Sequence, residues 1–244
     1  MYKLASAFAF VIAAGASAQV VDFETTPGGM VPTDDSFLDR AAQYFSDGVG
    51  ISFGFDTNND GIADADAAFE AVGDEPSGPE GFFSTLGNED RDTEAPGFEG
   101  GLGDFFLRTP VGVDQNDDPS VLVITYDTAV AELSGEIWDI DGRSNDGTFE
   151  QWRVRGFNAM GDQVAIQDSP VGIPQDTMGT LDSAPWTFTL ANQAGITRVT
   201  IEYIGNAEGV GLAFDNYNAT QVPTPGAGAL ALAGLVIGGR RRRK

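Results

Sequence analysis

The stretch FEQWRVRGFNAMGDQVAIQD, residues 149–168, decides the fold class. In its first half Trp152, Val154 and Gly156 fall on one side of an extended chain, and Arg153, Arg155 and Phe157 fall on the other. A period of two belongs to a strand with one face turned to a core. Asn158-Ala159-Met160-Gly161-Asp162 supplies turn chemistry, and QVAIQD resumes the extended pattern. The stretch therefore predicts a β-hairpin.

Working outward, short apolar or alternating runs recur between clusters of Gly, Pro, Asp and Asn. They are VVDFE (20–24), GVGISFGF (48–55), GFFSTL (81–86), DFFLRTP (104–110), SVLVITYDT (120–128), AELSGEIWDI (131–140), WTFTLAN (186–192), ITRVTIEYIG (196–205) and GLAFDNYNAT (211–220). Such spacing predicts an all-β protein, an antiparallel β-sandwich or jelly roll, as one domain over residues 19–221. The run ending at Ile140 and the run beginning at Phe149 read as consecutive antiparallel partners. A turn or two of helix is expected only within Asp64 to Val72. Residues 73–103, rich in Gly, Pro and acids, read as connecting loops.

Charge and chemical inventory narrow the function. All 37 acidic residues lie between Asp22 and Asp215. Of the 13 basic residues, Lys3 and the five from Arg240 to Lys244 lie outside that span, leaving seven arginines within it. Such a surface repels nucleic acid and attracts divalent cations. The chain has neither Cys nor His, which removes disulfides, thiol nucleophiles, Ser-His-Asp triads and the common zinc ligands. Carboxylates, hydroxyls and carbonyls remain, and these suit calcium.

The two ends carry an address. Lys3 precedes an apolar run from Leu4 to Ala14, and Ala16-Ser17-Ala18 is a small-x-small cleavage pattern, so residues 1–18 read as a signal peptide cut before Gln19. The other end reads VPTPGAGALALAGLVIGGRRRRK, residues 222–244. Its apolar part, about residues 226–239, lies near the short limit for a membrane helix. Arg240, Arg241, Arg242, Arg243 and Lys244 would hold the cytoplasmic face. The segment Val222-Pro223-Thr224-Pro225, the Gly/Ala/Leu run and the basic block together resemble the PEP-CTERM sorting signal of bacterial envelope proteins, with Thr224 where that signal carries Glu. The resemblance implies an exported protein of the envelope or extracellular matrix. Its partners would be signal peptidase, the membrane and an exosortase-like processing enzyme. A second resemblance rests on Asp22-Phe23-Glu24, the segment from Trp138 to Gly142 and the segment from Ala213 to Tyr217. It implies a lectin-like or carbohydrate-binding-like sandwich and assigns no ligand.

Candidate sites follow from the acids and the tryptophans. Asp56, Asn58, Asp60 and Asp64 stand at positions one, three, five and nine of a calcium loop, with Gly61 at six and the Ile62 carbonyl at seven. Position twelve is Ala67 instead of Glu; Asp66 comes one place early and Glu70 three places late. A calcium site there would be weakened, and the same residues also make a plain polar turn. Glu24 and Asp215 resemble positions at which jelly rolls hold a structural calcium, and chain ends in a sandwich often meet; the same pair also reads, and reads better, as two exposed strand carboxylates. The clusters Asp114 to Asp118 and Asp139 with Asp141 read as calcium loops or solvated turns. Asp139 and Asp141, two apart on an extended chain, also have the spacing of a glycosidase pair. Trp138 and Trp152 are candidates for sugar stacking, or for packing across adjacent strands. Taken together, these features point to a non-catalytic, calcium-stabilised envelope protein with polysaccharide as candidate ligand. The competing class is a secreted carbohydrate-active enzyme using paired carboxylates.

Overall fold

The computed structural model describes residues 19–72, 97–98, 100–108, 121–138, 140, 147, 149–172, 185–206 and 213–222. The expected leader (1–18), most of the sorting tail (223–244), the run at 81–86, and Asp114 to Asp118, Asp139 and Asp141 lie outside these residues. The described residues form strands and no helix. These are β1 (Phe37–Leu38), β2 (Tyr44–Ser46), β3 (Val49–Asp56), β4 (Ala67–Ala71), β5 (Phe105–Arg108), β6 (Val121–Trp138), β7 (Trp152–Phe157), β8 (Gln163–Asp168), β9 (Trp186–Tyr203) and β10 (Ala213–Gln221). No helix among them is long and apolar enough to cross a membrane.

Every strand pairing is antiparallel, along the order β1-β4-β5-β10-β6-β9-β7-β8, with β2-β3 joined to β6. Two long strands hold this arrangement together. The first half of β6 pairs with β3, its second half pairs with β10, and β9 runs beside both. Register shifts between Thr125, Val130 and Glu132 change which residues of β6 point inward. Leu122, Ile124 and Tyr126 enter the core before the shift, and Leu133 and Ile137 enter it afterwards. β9 changes parity as well, from Phe188, Leu190 and Ile196 to Val199 and Ile201. A bulge inserts an unpaired residue and bends the strand. The bend folds the sheet into two facing halves, and rings then meet across the core: Phe53 against Tyr217 at 5.0 Å and Trp152 against Phe214 at 5.9 Å. The fold is all-β and sandwich-like.

Three expectations are corrected here. The runs 120–128 and 131–140 join in one bent strand, Val121–Trp138, because the parity change that suggested a break is a bulge. β6 does not pair with β7; β7 lies between β8 and β9, with Trp152 opposite Tyr203. The segment expected to make a helical turn contains β4, buried along nearly its whole length between β1 and β5. The opening hairpin holds as read: Trp152, Val154 and Gly156 point inward, and Asn158 Oδ1 accepts from the Met160 and Asp162 amides to shape the turn.

Candidate metal centres

The loop after β3 closes on its own side chains. Asp56 is 1% exposed; its Oδ1 accepts from the amides of Asn59 at 2.7 Å, Asn58 at 3.2 Å and Asp60 at 3.3 Å, and its Oδ2 accepts from Gly61 at 2.6 Å. Asn58 Oδ1 accepts from Asp60, and Asp60 Oδ1 accepts from Ile62. Asp64 takes the Thr57 amide and hydroxyl on one oxygen and the Asn58 amide group on the other. The Thr57 amide, before its hydroxyl, holds the Asp64 carboxyl below the usual range. Asn59 and Gly61 adopt positive φ, as the tight turn requires.

Asp56, Asn58, Asp60, the Ile62 backbone and Asp64 are thus gathered into one loop, but the ligand lacking at position twelve is not supplied nearby. Ala67 is fully buried in β4, Asp66 accepts from Arg40, and Glu70 pairs with Arg108. The Arg198 guanidinium, stacked on Phe157 at 4.7 Å, donates to the Gly61 carbonyl at 2.7 Å. The oxygen set falls short of the six to eight ligands that calcium takes, so this loop fits the polar-turn reading better.

A second acidic group was missed by sequence reasoning. Among the described residues, Asp34, Asp35 and Glu70 form a trio whose carboxylate oxygens lie within 4.8 Å of one another. The buried Arg108 makes ion pairs with Glu70 and Asp35, and Asp34 accepts from the Ala71 amide at 3.0 Å. Burial pushes the Glu70 carboxyl upward against the pull of Arg108. The single Arg108 guanidinium offsets part of the charge of this trio, through Asp35 and Glu70. The signal was the FFLR run, whose arginine sits in a strand of otherwise apolar residues.

Among the described residues Asp215 has no such partner. It is 1% exposed on β10, and neither carboxylate oxygen has a hydrogen-bond partner. Burial pushes its carboxyl up to about 9; the nearby Asn216 amide opposes the rise without reaching hydrogen-bond geometry, and Asp22, Glu136 and Glu24 add to it. Glu136 is its register partner on β6. Glu24 Oε1 accepts from the Asp104 amide at 2.7 Å and the Phe105 amide at 3.2 Å. Glu136 Oε2 accepts from Asn216 Nδ2 at 2.9 Å, and the same nitrogen donates to the Gly101 carbonyl at 3.1 Å. The chain therefore brings Glu24 and Asp215 into one neighbourhood and adds Asp22 and Glu136 to it. An isolated buried carboxylate is costly unless it is protonated or meets a cation. The acids near it, Asp22, Glu24 and Glu136, are of the hard oxygen type that divalent cations take. No three of these four carboxylates bring their oxygens within 4.8 Å of one another; among the described residues the Asp34, Asp35 and Glu70 trio does so. Glu136 could be found only through pairing register, since it lies 79 positions before Asp215.

The tryptophan expectation is corrected. Trp138 and Trp152 are each 1% exposed and on different strands that do not pair. Trp138 packs with Leu102, Phe106 and Ala213 under Phe98, and Trp152 packs against Tyr203 and Phe214. Neither ring offers a face for a sugar. Val222 is the last described residue, its amide donating to the Ala129 carbonyl at 3.2 Å.

No family model and no curated protein matches the chain. Among solved structures, a glycoside hydrolase family 43 arabinoxylan arabinofuranohydrolase from Bacillus subtilis, in complex with cellotetraose, is similar at 10% identity and a TM-score of 0.29. The match covers 83% of this chain and 33% of that one, so the chain spans about a third of its length. A likeness of that size assigns neither activity nor ligand.

Proposed function

We propose that this chain is an exported, non-catalytic protein of the cell envelope or extracellular matrix, whose jelly-roll-like sandwich is stabilised by a calcium ion at Asp215 and Glu24. The observation that carries the cation is the buried Asp215 carboxylate without a hydrogen-bond partner. Asp215 and Glu24 would hold the ion, which supplies positive charge and no reaction step. The leader at residues 1–18 and the tail at 222–244 support export, membrane insertion and processing at Pro223-Thr224-Pro225 by an exosortase-like enzyme. The acidic surface disfavours nucleic acid as a partner. Polysaccharide is the ligand class to test, through surfaces other than the packed Trp138 and Trp152.

Two measurements test this reading. Fractionation of the native host should place the full chain in the envelope or outside the cell, with the leader removed. Recovery from the cytosol with both ends intact overturns the export half. Calcium should raise the melting temperature of the full chain over that in chelator, and an unchanged melt overturns the cation half.

A further inference from the structure

The chain leaves the sandwich at a defined place. Gln221 pairs with Val130 at the β6 bulge, and the Val222 amide donates to the Ala129 carbonyl at 3.2 Å. A methyl group on Gly195 of β9 would sit 3.3 Å from Val222 Cγ2. Two tight turns share this end of the molecule. The β2–β3 turn at Asp47-Gly48 adjoins the exit, since a methyl group on Gly48 would sit 3.5 Å from Gln221 Nε2. The β7–β8 turn, residues 158–162, follows Phe157, whose partner Arg198 lies two residues from Ile196, the partner of Val130. The longer connections, Arg108 to Val121, Trp138 to Trp152, Asp168 to Trp186 and Tyr203 to Ala213, start and finish at the opposite ends of these strands.

Two apolar side chains stand out at the end that carries Val222. Met160, in the β7–β8 turn, is 83% exposed, more than any other large apolar side chain described. Phe45 is 59% exposed and pairs with Gly50, whose amide donates to Asp127 Oδ1 at 2.9 Å. One exposed apolar group needs no explanation, but two of them flank the exit. Other exposed residues there are Asp47, Asp127, Thr128, Asp162 and Gln193, and no described cation is among them. The reach of the chain then decides what this end meets. Pro223 to Pro225 separate Val222 from the apolar run that begins at about residue 226. At no more than about 3.6 Å per residue, that gap is at most roughly 14 Å. A headgroup layer takes up about 5–8 Å of it. What remains is less than the ~10 Å that one packed sheet occupies, so no second protein layer fits between this end and the lipid.

We propose that this end, with Met160 and Phe45 on either side of the Val222 exit, is the surface by which the sandwich rests on a zwitterionic lipid bilayer. The strand ends at Trp138, Trp152 and Asp168 are then turned away from the membrane. This rests on the membrane insertion of the tail proposed above, and it adds which face of the domain the lipid covers. Met160 and Phe45 enter the boundary between headgroups and acyl chains, where apolar side chains on a polar rim are favoured. Asp47, Asp127 and Asp162 oppose the same contact on an anionic leaflet.

The chain has no cysteine, so a single Cys substitution carries a probe to one place. The full chain is reconstituted in phosphatidylcholine vesicles that contain a headgroup nitroxide quencher. An environment-sensitive fluorophore is attached at Thr128→Cys, at Met160→Cys or, on the opposite end, at Val171→Cys, a position 44% exposed. Quenching several-fold stronger at positions 128 and 160 than at position 171 supports the assigned surface. Equal quenching at all three, in protein that floats with the vesicles, overturns the surface and leaves the inserted tail standing. Protein that does not float with the vesicles overturns both. Adding Met160→Ser and Phe45→Ser to the Thr128→Cys chain should lower quenching at position 128, and because both side chains are exposed the fold should keep its urea midpoint. Undiminished quenching in that variant overturns the part given to the two side chains.

Discussion

Replacing Asp215 with Asn should make the cation-free protein more stable, not less. The reason is the sign of the Asp215 shift. Its folded carboxyl is raised from 3.8 to about 9, chiefly by burial, so between those values the folded chain holds a proton that the unfolded chain has released. Stability from this group is fully present below the unfolded value and is lost as pH rises toward the folded one. At pH 7 the unfolded carboxyl is about three units past its midpoint; at about 1.4 kcal/mol per unit, the folded state is penalised by roughly 4 kcal/mol. Asparagine keeps the shape and removes the ionisation, so Asp215→Asn should recover a penalty of that order. Urea unfolding of the full chain in chelator, at pH 5, 7 and 9, measures it directly. The stability gap between variant and wild type should widen by about 1.4 kcal/mol per pH unit over that range. Saturating calcium should close the gap from the wild-type side alone. A variant less stable than wild type at pH 7 in chelator would refute the reasoning, because it would mean that Asp215 already has a favourable partner.

Two further substitutions test the packing. At Gly135 a methyl group would sit 2.6 Å from Tyr217 Cδ1 and Cε1 and 2.8 Å from Phe188 Cζ, so Gly135→Ala should cost about 1–3 kcal/mol by overpacking; unchanged urea stability would count against the ring placement. Arg108→Ala leaves Glu70 and Asp35 without their cation and should cost about 3–5 kcal/mol. Adding Glu70→Gln should recover part of that loss, and a double variant no better than the single one would rule out charge as the cause.

The hairpin at 149–168 was legible because its alternation, its turn residues and its burial agree. The bent strands were not. In β6 the stretch from Asp127 to Ala131 breaks the period of two, and a broken period looks the same in a sequence whether the chain stops or bulges. The tryptophans were ambiguous for a similar reason: an aromatic ring in a strand packs or stacks according to what covers it. Trp138 is covered by Phe98, Gly101 and Leu102, which read as loop.

The acids divide along the same line. Asp56 to Asp64 are neighbours in sequence, so their gathering into one loop could be read directly. What the loop binds turned on Ala67, Asp66 and Glu70, whose partners Arg40 and Arg108 come from other strands. The amino-acid sequence by itself determined the all-β class, the excess of negative charge and the oxygen-only ligand chemistry, because these depend on composition and short-range periodicity. Tertiary structure alone decided which acid is left without a counter-charge, because a carboxylate's free energy depends on the groups and the solvent around it. Those surroundings are set when β10 pairs with β6 and Val21 and Phe23 pack against it.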